Sequence, residues 1–182
     1  MRIFCKNVFT LLMICILCSA CSSNKTISFD QNNEKFKKLS TKEQVEIVHL
    51  ENLKHYLNKD AKDVSYAFSE NYLDFFRSQK EKKAEVNEKY FEELFKTDFF
   101  KACTKFKLEE LVDINKKQVL SYDEITKMNP KFVGLNNLVG FKYEEGDILI
   151  KYPPKEGSPM MNGWNAVYRK ENDLWKIIAG NF

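Results

Sequence analysis

The chain has 182 residues and carries 29 Lys plus Arg against 26 Asp plus Glu, so its formal net charge is only +3. Its six glycines leave little room for a glycine-rich phosphate loop, and the sequence contains no G-x-S-x-G nucleophile motif. The composition therefore argues against phosphate-loop enzymes and against serine hydrolases of the elbow type.

The first twenty residues have the pattern of a secretory leader. Arg2 and Lys6 precede an apolar run of ten residues, 8–17, and the small residues Ser19 and Ala20 follow it. A membrane-spanning helix needs about 20 apolar residues, so this run is too short to span. A basic start, a short apolar core and a small-residue exit indicate a signal peptide over residues 1–20.

The leader ends in "LCSAC", which resembles a bacterial lipobox. Cys18 occupies the usual leucine position, and Leu17 lies one place earlier. The resemblance implies that lipid is attached to Cys21; a plain signal peptide cleaved nearby is the alternative. Ser22 is not the aspartate that retains enteric lipoproteins at the inner membrane. The expected location is therefore the cell envelope, at an outer membrane and facing the periplasm.

Removal of the leader changes the cysteine and charge balance. Cys5, Cys15 and Cys18 leave with it, Cys21 is occupied by lipid, and Cys103 remains. One thiol can form neither an intramolecular disulfide nor a zinc site of the paired type. Without its two leader cations the chain is nearly neutral, which gives no support for a nucleic-acid partner.

The mature chain divides into a tether and one domain. Residues 21–40 are polar after the lipidated cysteine and have no apolar periodicity, which predicts a flexible linker with a reach on the order of 25 Å. Residues 41–182 have the length of a single domain that buries about two thirds of its surface.

The first half of this domain predicts helices over 40–59, 60–79 and 80–106. Ser40 and Glu43 form a capping box at the start of the first helix. Apolar residues recur at helical spacing in all three segments. They are Val45, Ile47, Val48, Leu50, Leu53, Tyr56 and Leu57, then Val64, Ala67, Phe68, Tyr72, Phe75 and Phe76, then Phe91, Leu94, Phe95, Phe99, Ala102, Cys103 and Phe106.

The second half predicts strands. Residues 108–128 mix apolar and polar positions in a way that favours one long half-buried strand, although its first turn could remain helical. Residues 138–154 predict a hairpin whose turn, 144–147, contains Gly146 for a positive φ.

A final hairpin over 163–182 is the clearest local pattern. An Asn172-Asp173 turn pairs Glu171 with Leu174. Such pairing gives one nearly all-apolar face and one mixed face, which predicts antiparallel strands covered on one side. The apolar face consists of Trp164, Ala166, Tyr168, Trp175, Ile177 and Ala179.

Helices followed by antiparallel strands indicate the α+β class. The stretches "KDVSYAFSENYLDFF" and "WNAVYRKENDLWKIIAGNF" resemble the early helical segment and the closing strands of the nuclear transport factor 2-like superfamily. The resemblance implies N-terminal helices packed on a curved antiparallel sheet, as a cone with an apolar cavity at its wide end. A cystatin-like fold is the alternative. Because the superfamily includes enzymes, carriers and assembly domains, the fold leaves the function open.

Candidate chemistry is sparse. His49 and His55 are six residues apart, about 240° around a helix, and cannot share a metal ion, so no metal site and no cofactor are predicted. Cys103 lies at helical spacing from phenylalanines, which favours a buried structural thiol over a nucleophile. No catalytic residue is assigned.

Isomerases of the resembled superfamily use an aspartate base and an acidic hydroxyl inside the cone. Asp113, Asp123, Tyr122 and Tyr143 lie on predicted strands and could point inward. None of them matches a catalytic position of the family, so surface acids and core tyrosines are the favoured interpretation.

The rim of the expected cavity is assigned to aromatic and methionine side chains. The candidates are Trp164, Trp175 and Tyr168 in the last hairpin, with Met160 and Met161 in the loop before it. Such residues could hold an apolar ligand or a partner peptide, whereas packing within the core is the alternative and favoured explanation.

The sequence thus predicts a lipid-anchored envelope protein that acts as a non-catalytic ligand-binding or assembly module. Its expected partners are the membrane, through the lipid, and a small apolar ligand or an envelope protein. A small cone-cavity isomerase or dehydratase stays open and would need a buried carboxylate facing a tyrosine in a cavity. An inhibitor or immunity-type protein also stays open and would need an exposed patch without a cavity.

Overall fold

The computed structural model of the chain describes residues 30–74, 87–128 and 143–181. The leader and Cys21 lie outside these ranges. The helices are α1 Glu34–Lys37, α2 Thr41–Leu57, α3 Ala61–Tyr66, α4 Glu88–Leu94, α5 Asp98–Cys103, α6 Leu108–Leu111 and α7 Tyr122–Met128, with a 3₁₀ turn at Ile114–Lys116. Among the described residues, no helix combines the length and apolar character needed to cross a membrane.

Five strands form one open, mixed sheet. They are β1 Phe68–Asp74, β2 Gln118–Ser121, β3 Ile148–Tyr152, β4 Trp164–Glu171 and β5 Leu174–Asn181. Their order across the sheet is β1-β5-β4-β3-β2. The β1–β5 pair is parallel, and the other three pairs are antiparallel. The predicted α+β class is confirmed, whereas the prediction of a purely antiparallel sheet is wrong at this one edge.

Helix α2 begins as the sequence predicts. The Ser40 amide donates to Glu43 Oε2 at 2.9 Å and the Glu43 amide donates to Ser40 Oγ at 3.4 Å, which completes the capping box. The helix then buries Val45, Val48 and Leu53 in the main core. Ile47, which was assigned to the apolar face, is 37% exposed because it lies at the margin of that face.

An aromatic cluster joins α2 to its neighbours. The ring of Tyr56 packs edge-on against Phe91, Phe95, Phe100 and Trp164, with centroid separations of 4.6 to 6.5 Å. Edge-to-face pairs of this kind add roughly 0.5–1.5 kcal/mol each beyond the area they bury. The cluster fixes α4 and α5 against the helix and the sheet.

The predicted helix over 60–79 is wrong in its second part. Helix α3 ends at Tyr66, and the chain continues as strand β1. Phe68 and Tyr72 are four apart, a spacing that places two residues on one face in a helix and in a strand alike. The local pattern therefore could not separate the two, and pairing with β5 selects the strand. Phe75 and Phe76 lie outside the described residues.

The predicted third helix is interrupted. Thr97 accepts a hydrogen bond from the Phe100 amide and starts α5 as a new helix. The interruption resets the helical phase, so Phe100 is fully buried while Phe99 is 46% exposed. Phe106 is also exposed, after the end of α5.

The predicted long strand over 108–128 is mostly helical. Only Gln118–Ser121 forms a strand, between the 3₁₀ turn and α7. Glu124 accepts hydrogen bonds from the Ser121 amide and hydroxyl at 2.7 and 2.9 Å, a local capping arrangement that starts α7. Capping thus ends the strand after four residues.

Both predicted turns are present. Gly146 has a φ of +94°, and the following residues form β3. The first arm of that predicted hairpin falls mainly on residues outside the described ranges, and both edges of β3 are paired, with β2 and with β4. Asn172 and Asp173 have φ values of 50° and 65°, as a two-residue hairpin turn requires, and Glu171 pairs with Leu174.

A β-bulge changes which residues lie on each face of the last hairpin, relative to the prediction. Val167 pairs with Ala179 and Tyr168 pairs with Ile177, so Ile178 is an extra residue in β5. Ala179 therefore joins Ile178 and Val167 in a second buried cluster on the other face, with Ile125 from α7. The prediction that the sheet is covered on one side is wrong, since apolar residues are buried on both faces.

An ion pair between the half-buried Arg169 and the buried Asp147 accompanies this second cluster. Arg169 donates from Nε to Asp147 Oδ1 at 2.8 Å and from Nη2 to Oδ2 at 2.7 Å. The Glu144 amide donates to Asp147 Oδ2 at 2.9 Å. The Asp147 carboxylate is thus satisfied on both oxygens, as a buried charge requires.

The packed domain begins earlier than residue 41. Phe36 on α1 is 6% exposed and belongs to the main core. Gln31 accepts from the Trp175 amide at 2.8 Å. Residues 30–40 were assigned to the tether because their composition is polar, but a single aromatic residue and one amide side chain attach them to the domain.

We expect Phe36→Ala to lower the free energy of unfolding by about 3–5 kcal/mol, the usual range for removing a buried phenylalanine. The neighbouring exposed Lys35→Ala should change it by less than about 0.5 kcal/mol. Urea unfolding of both variants measures the difference. A flexible tether would leave the two variants equally stable.

Candidate functional site

A surface cleft of about 590 Å³ lies beside α2. It is bordered by the N-terminal residues 30–32, one stripe of α2, helix α3, the start of α4 and Leu174 at the turn of the last hairpin. The cleft is therefore formed where the first helices meet the edge of the sheet.

The α2 wall follows from helical periodicity. Val48, Glu51, Asn52 and His55 are spaced i, i+3, i+4 and i+7, so they lie on one stripe and all line the cleft. Val48 also belongs to the main core, and the other core residues Val45 and Leu53 lie beside this stripe. One helix thus supplies both the core contact and the polar wall.

The N-terminal wall is fixed by hydrogen bonds to β5. Gln31 accepts from the Trp175 amide, and its own Nε2 donates to the Trp175 carbonyl at 3.4 Å. The indole Nε1 of Trp175 donates to Gln44 Oε1 on α2 at 2.9 Å. These contacts place Asp30 and Asn32 at the edge of the cleft.

The cleft is rich in carboxylates. Asp30, Glu51, Asp63 and Glu88 line it, against the ammonium of Lys62. Lys54 contacts Glu51 Oε2 at 3.0 Å from outside the lining, but this pair is solvent-exposed on the lysine side and so is weak and screened by salt. The negative charge that remains in the cleft favours the binding of a cation.

His55 lies at the acidic end of the cleft. Its Nδ1 is 3.6 Å from Asp60 Oδ2 and 3.5 Å from Asp63 Oδ2, and its Nε2 is 3.8 Å from Glu51 Oε1. The imidazole is 9% exposed. Three carboxylates therefore surround one nearly buried ring.

Asn52 connects the cleft to a polar group within the core. Its Nδ2 donates to Tyr168 Oη at 3.1 Å, and Tyr168 Oη lies 3.0 Å from His49 Nδ1. His49 and Tyr168 are fully buried, and burial lowers the pKa of His49 to about 3. His49 is therefore neutral at physiological pH. Its Nε2 and Tyr152 Oη are buried without a hydrogen-bond partner among the described residues.

The residues assigned to a cavity rim lie elsewhere. Trp164, Trp175, Tyr168 and Met160 are at most 5% exposed and belong to the main core, whereas Met161 is 84% exposed. None of the five is among the described residues that line the cleft. Tyr168 comes nearest, through its hydrogen bond with Asn52.

The catalytic alternatives are dispersed. Asp113 contacts Lys116 at 3.5 Å, Asp123 is exposed, Tyr122 is half-buried, and Tyr143 is buried in the second cluster. Cys103 is buried as predicted, and burial raises the pKa of its thiol. Of the four candidates, the structure brings only the two tyrosines to one cluster, because Tyr122 packs against the cluster that contains Tyr143.

The sequence interpretation missed the set formed by His55, Asp60 and Asp63. Helical spacing relates the two histidines only to each other, and they lie on different faces of α2. The available signal was a histidine followed by aspartates at i+5 and i+8, across the end of one helix and the start of the next.

Comparison of the chain with protein-family models, with curated proteins and with solved structures found no match in any of the three.

We expect the free energy of unfolding of the domain to decrease as the pH is lowered, in part because of His49. Because its pKa is near 3 when folded and about 6.5 when unfolded, the unfolded chain binds the proton first. The stabilisation is complete above pH 6.5 and is lost as the pH falls towards 3. Between pH 7 and pH 5 this amounts to about 2 kcal/mol.

Urea unfolding at both pH values tests this linkage. His49→Gln removes the titrating group and keeps an amide that can accept from Tyr168. Its loss of stability over the interval should be smaller than that of the unmodified chain by about the same 2 kcal/mol. Equal losses would show that His49 is not the source.

Proposed function

We propose that this chain is a lipid-anchored, non-catalytic binding module of the cell envelope, and that its cleft takes a positively charged segment of an envelope partner protein. The observation that carries the proposal is the cleft of about 590 Å³ with four carboxylates and one ammonium in its lining. Such a lining concentrates cations and disfavours anions.

The side chains that line the cleft also favour a positively charged ligand over a small apolar one. Its aliphatic side chains are Val48, Ala67 and Leu174, and the remainder is largely acidic or amide. A small apolar ligand could bury surface against these side chains and the ring of Tyr66, but it would leave the four carboxylates without a counter-charge. A lysine or arginine side chain would find carboxylates and amide acceptors within one concave surface.

The fold supports placing the domain with nuclear transport factor 2-like proteins. Helices precede an open sheet, and the closing hairpin lies in the interior of that sheet rather than at an edge. These features are compatible with a cone of that kind. The proposal for the cleft depends on its geometry and not on the family.

Non-catalytic binding is favoured by the state of the buried carboxylate. Asp147 is fully buried, and burial of Tyr143, together with the charge of Asp147, raises the pKa of Tyr143. Both of its oxygens are held by Arg169, however, so it functions as half of an ion pair. A cleft of this size also favours a binding module over an inhibitor that presents a convex patch.

A lysine-rich peptide carrying a fluorophore provides the test of the cleft. The variant Asp30→Asn/Glu88→Gln removes two lining charges and should weaken binding at least tenfold, with a reduced salt dependence. The Asp30 side chain accepts from the Asn32 amide at 2.8 Å, and asparagine keeps that acceptor. Fluorescence anisotropy on the full-length chain in detergent measures the affinity at low and high salt.

Glu92→Gln/Glu109→Gln is the matched control. It makes the same change in charge at two exposed positions that do not line the cleft. Equal affinity of both variants would reject the cleft as the binding surface.

The anchor has its own test. We expect Cys21→Ser to shift the protein from the membrane fraction to the soluble fraction, because serine cannot accept the thioether-linked lipid. Cell fractionation followed by immunoblotting gives the distribution, with Cys103→Ser as the control. Membrane retention of Cys21→Ser would contradict lipid attachment at this residue.

A further inference from the structure

Three potential metal ligands converge where α2 ends and α3 begins. His55 Nδ1, Asp60 Oδ2 and Asp63 Oδ2 come from a segment of nine residues, and the ligand atoms of the three residues lie within 4.8 Å of one another. His55 and Asp63 also line the cleft. The group is therefore at the surface of the cleft and not isolated in the core.

The helix boundary fixes this arrangement. Lys59 has a φ of 62°, and the Asp60 amide donates to the His55 carbonyl at 3.0 Å, which closes α2 and turns Asp60 back towards His55. Asp60 Oδ1 then accepts from the Asp63 amide at 3.2 Å and caps α3. This bond occupies one oxygen of Asp60 and leaves Oδ2 directed at the imidazole.

The imidazole of His55 has carboxylate neighbours at both ring nitrogens but is not closely bonded to any of them. The imidazole is more than nine-tenths buried, yet neither ring nitrogen makes a hydrogen bond to a described residue. The nearest oxygens, at 3.5 to 3.8 Å, lie beyond the usual 2.7–3.2 Å range for N–H···O bonds.

The separations fit a bound cation. Around tetrahedral zinc, with bonds of about 2.0–2.2 Å to nitrogen and oxygen, neighbouring ligand atoms are about 3.4 Å apart. The distances from His55 Nδ1 to Asp60 and Asp63 are 3.6 and 3.5 Å. All the ligand atoms lie within 4.8 Å of one another, so small side-chain movements would bring any longer separation to the tetrahedral value on binding.

Glu51 supplies the outer contact that metal-bound histidines commonly have. It faces His55 Nε2 at 3.8 Å, on the opposite side of the ring from the two aspartates. A carboxylate there accepts the second N–H, sets the tautomer and makes the other nitrogen a better ligand. The fourth ligand position would open into the cleft.

We propose that His55, Asp60 and Asp63 bind a divalent transition-metal ion of the zinc class, with Glu51 as a positioning residue. An imidazole together with two carboxylates suits zinc, whereas magnesium and calcium prefer oxygen ligands alone. The ion is a second ligand of the cleft, so the assignment deepens the proposed function and rests on it for its biological role.

Zinc chloride alone is the probe. The full-length chain in detergent, freed of metal with a chelator, is titrated by calorimetry, and cobalt(II) reports the ligand field by visible absorption. We expect one ion per chain and tetrahedral cobalt bands. His55→Gln should abolish both, and Asp63→Asn should weaken zinc binding at least tenfold.

Two further variants separate ligation from folding. Asp60→Asn keeps a good N-cap, so its melting temperature with chelator should match that of the unmodified chain while zinc affinity falls at least tenfold. Glu51→Gln should lower affinity about 10–100-fold without abolishing the cobalt bands. Glu92→Gln/Glu109→Gln should bind zinc normally.

Absence of zinc binding, or binding unchanged in His55→Gln and Asp63→Asn, would overturn the metal site. All variants retain every cysteine, so binding by thiols would survive in them and would be recognised. Peptide binding that depends on Asp30 and Glu88, with no zinc binding, would overturn this site alone. Loss of peptide binding with zinc binding intact would overturn only the proposed partner.

Discussion

His49 on α2 contacts Tyr152 on β3 and Tyr168 on β4, and this contact holds α2 on the sheet. Burial keeps the imidazole neutral, so the helix is fixed by a hydrogen bond without a buried charge. The stripe of α2 that lies beside His49 and includes Asn52 then faces the cleft. The location of the cleft thus depends on the angle at which α2 is held.

The elements that the sequence predicts correctly are those whose signals lie within a few neighbouring residues. The Ser40 capping box, the Gly146 turn and the Asn172-Asp173 turn were predicted correctly, because each depends on residues within a few positions of one another. Strand β1 was not predicted, because Phe68 and Tyr72 fit either period and only pairing with β5 decides between them. The bulge in β5 likewise depends on how β5 pairs with the adjacent strand, which the local sequence does not show.

The candidate site was less accessible to prediction than the fold. The sequence predicts a cavity rim of large aromatic residues, but a domain of this size uses such residues to pack its core. The acidic group instead depends on the reversal at Lys59, a residue without a turn-forming side chain, which takes a positive φ. Sequence periodicity describes single helices and gives no account of residues that meet across such a reversal.

The attachment of residues 30–40 to the domain shortens the segment that would separate the domain from the proposed lipid on Cys21. A lipid on Cys21 would be nine residues from Asp30, a separation of at most about 30 Å even when fully extended. Asp30 is itself part of the cleft wall. The opening would then be held close to the lipid headgroups, and its partners would be those that approach along the membrane surface.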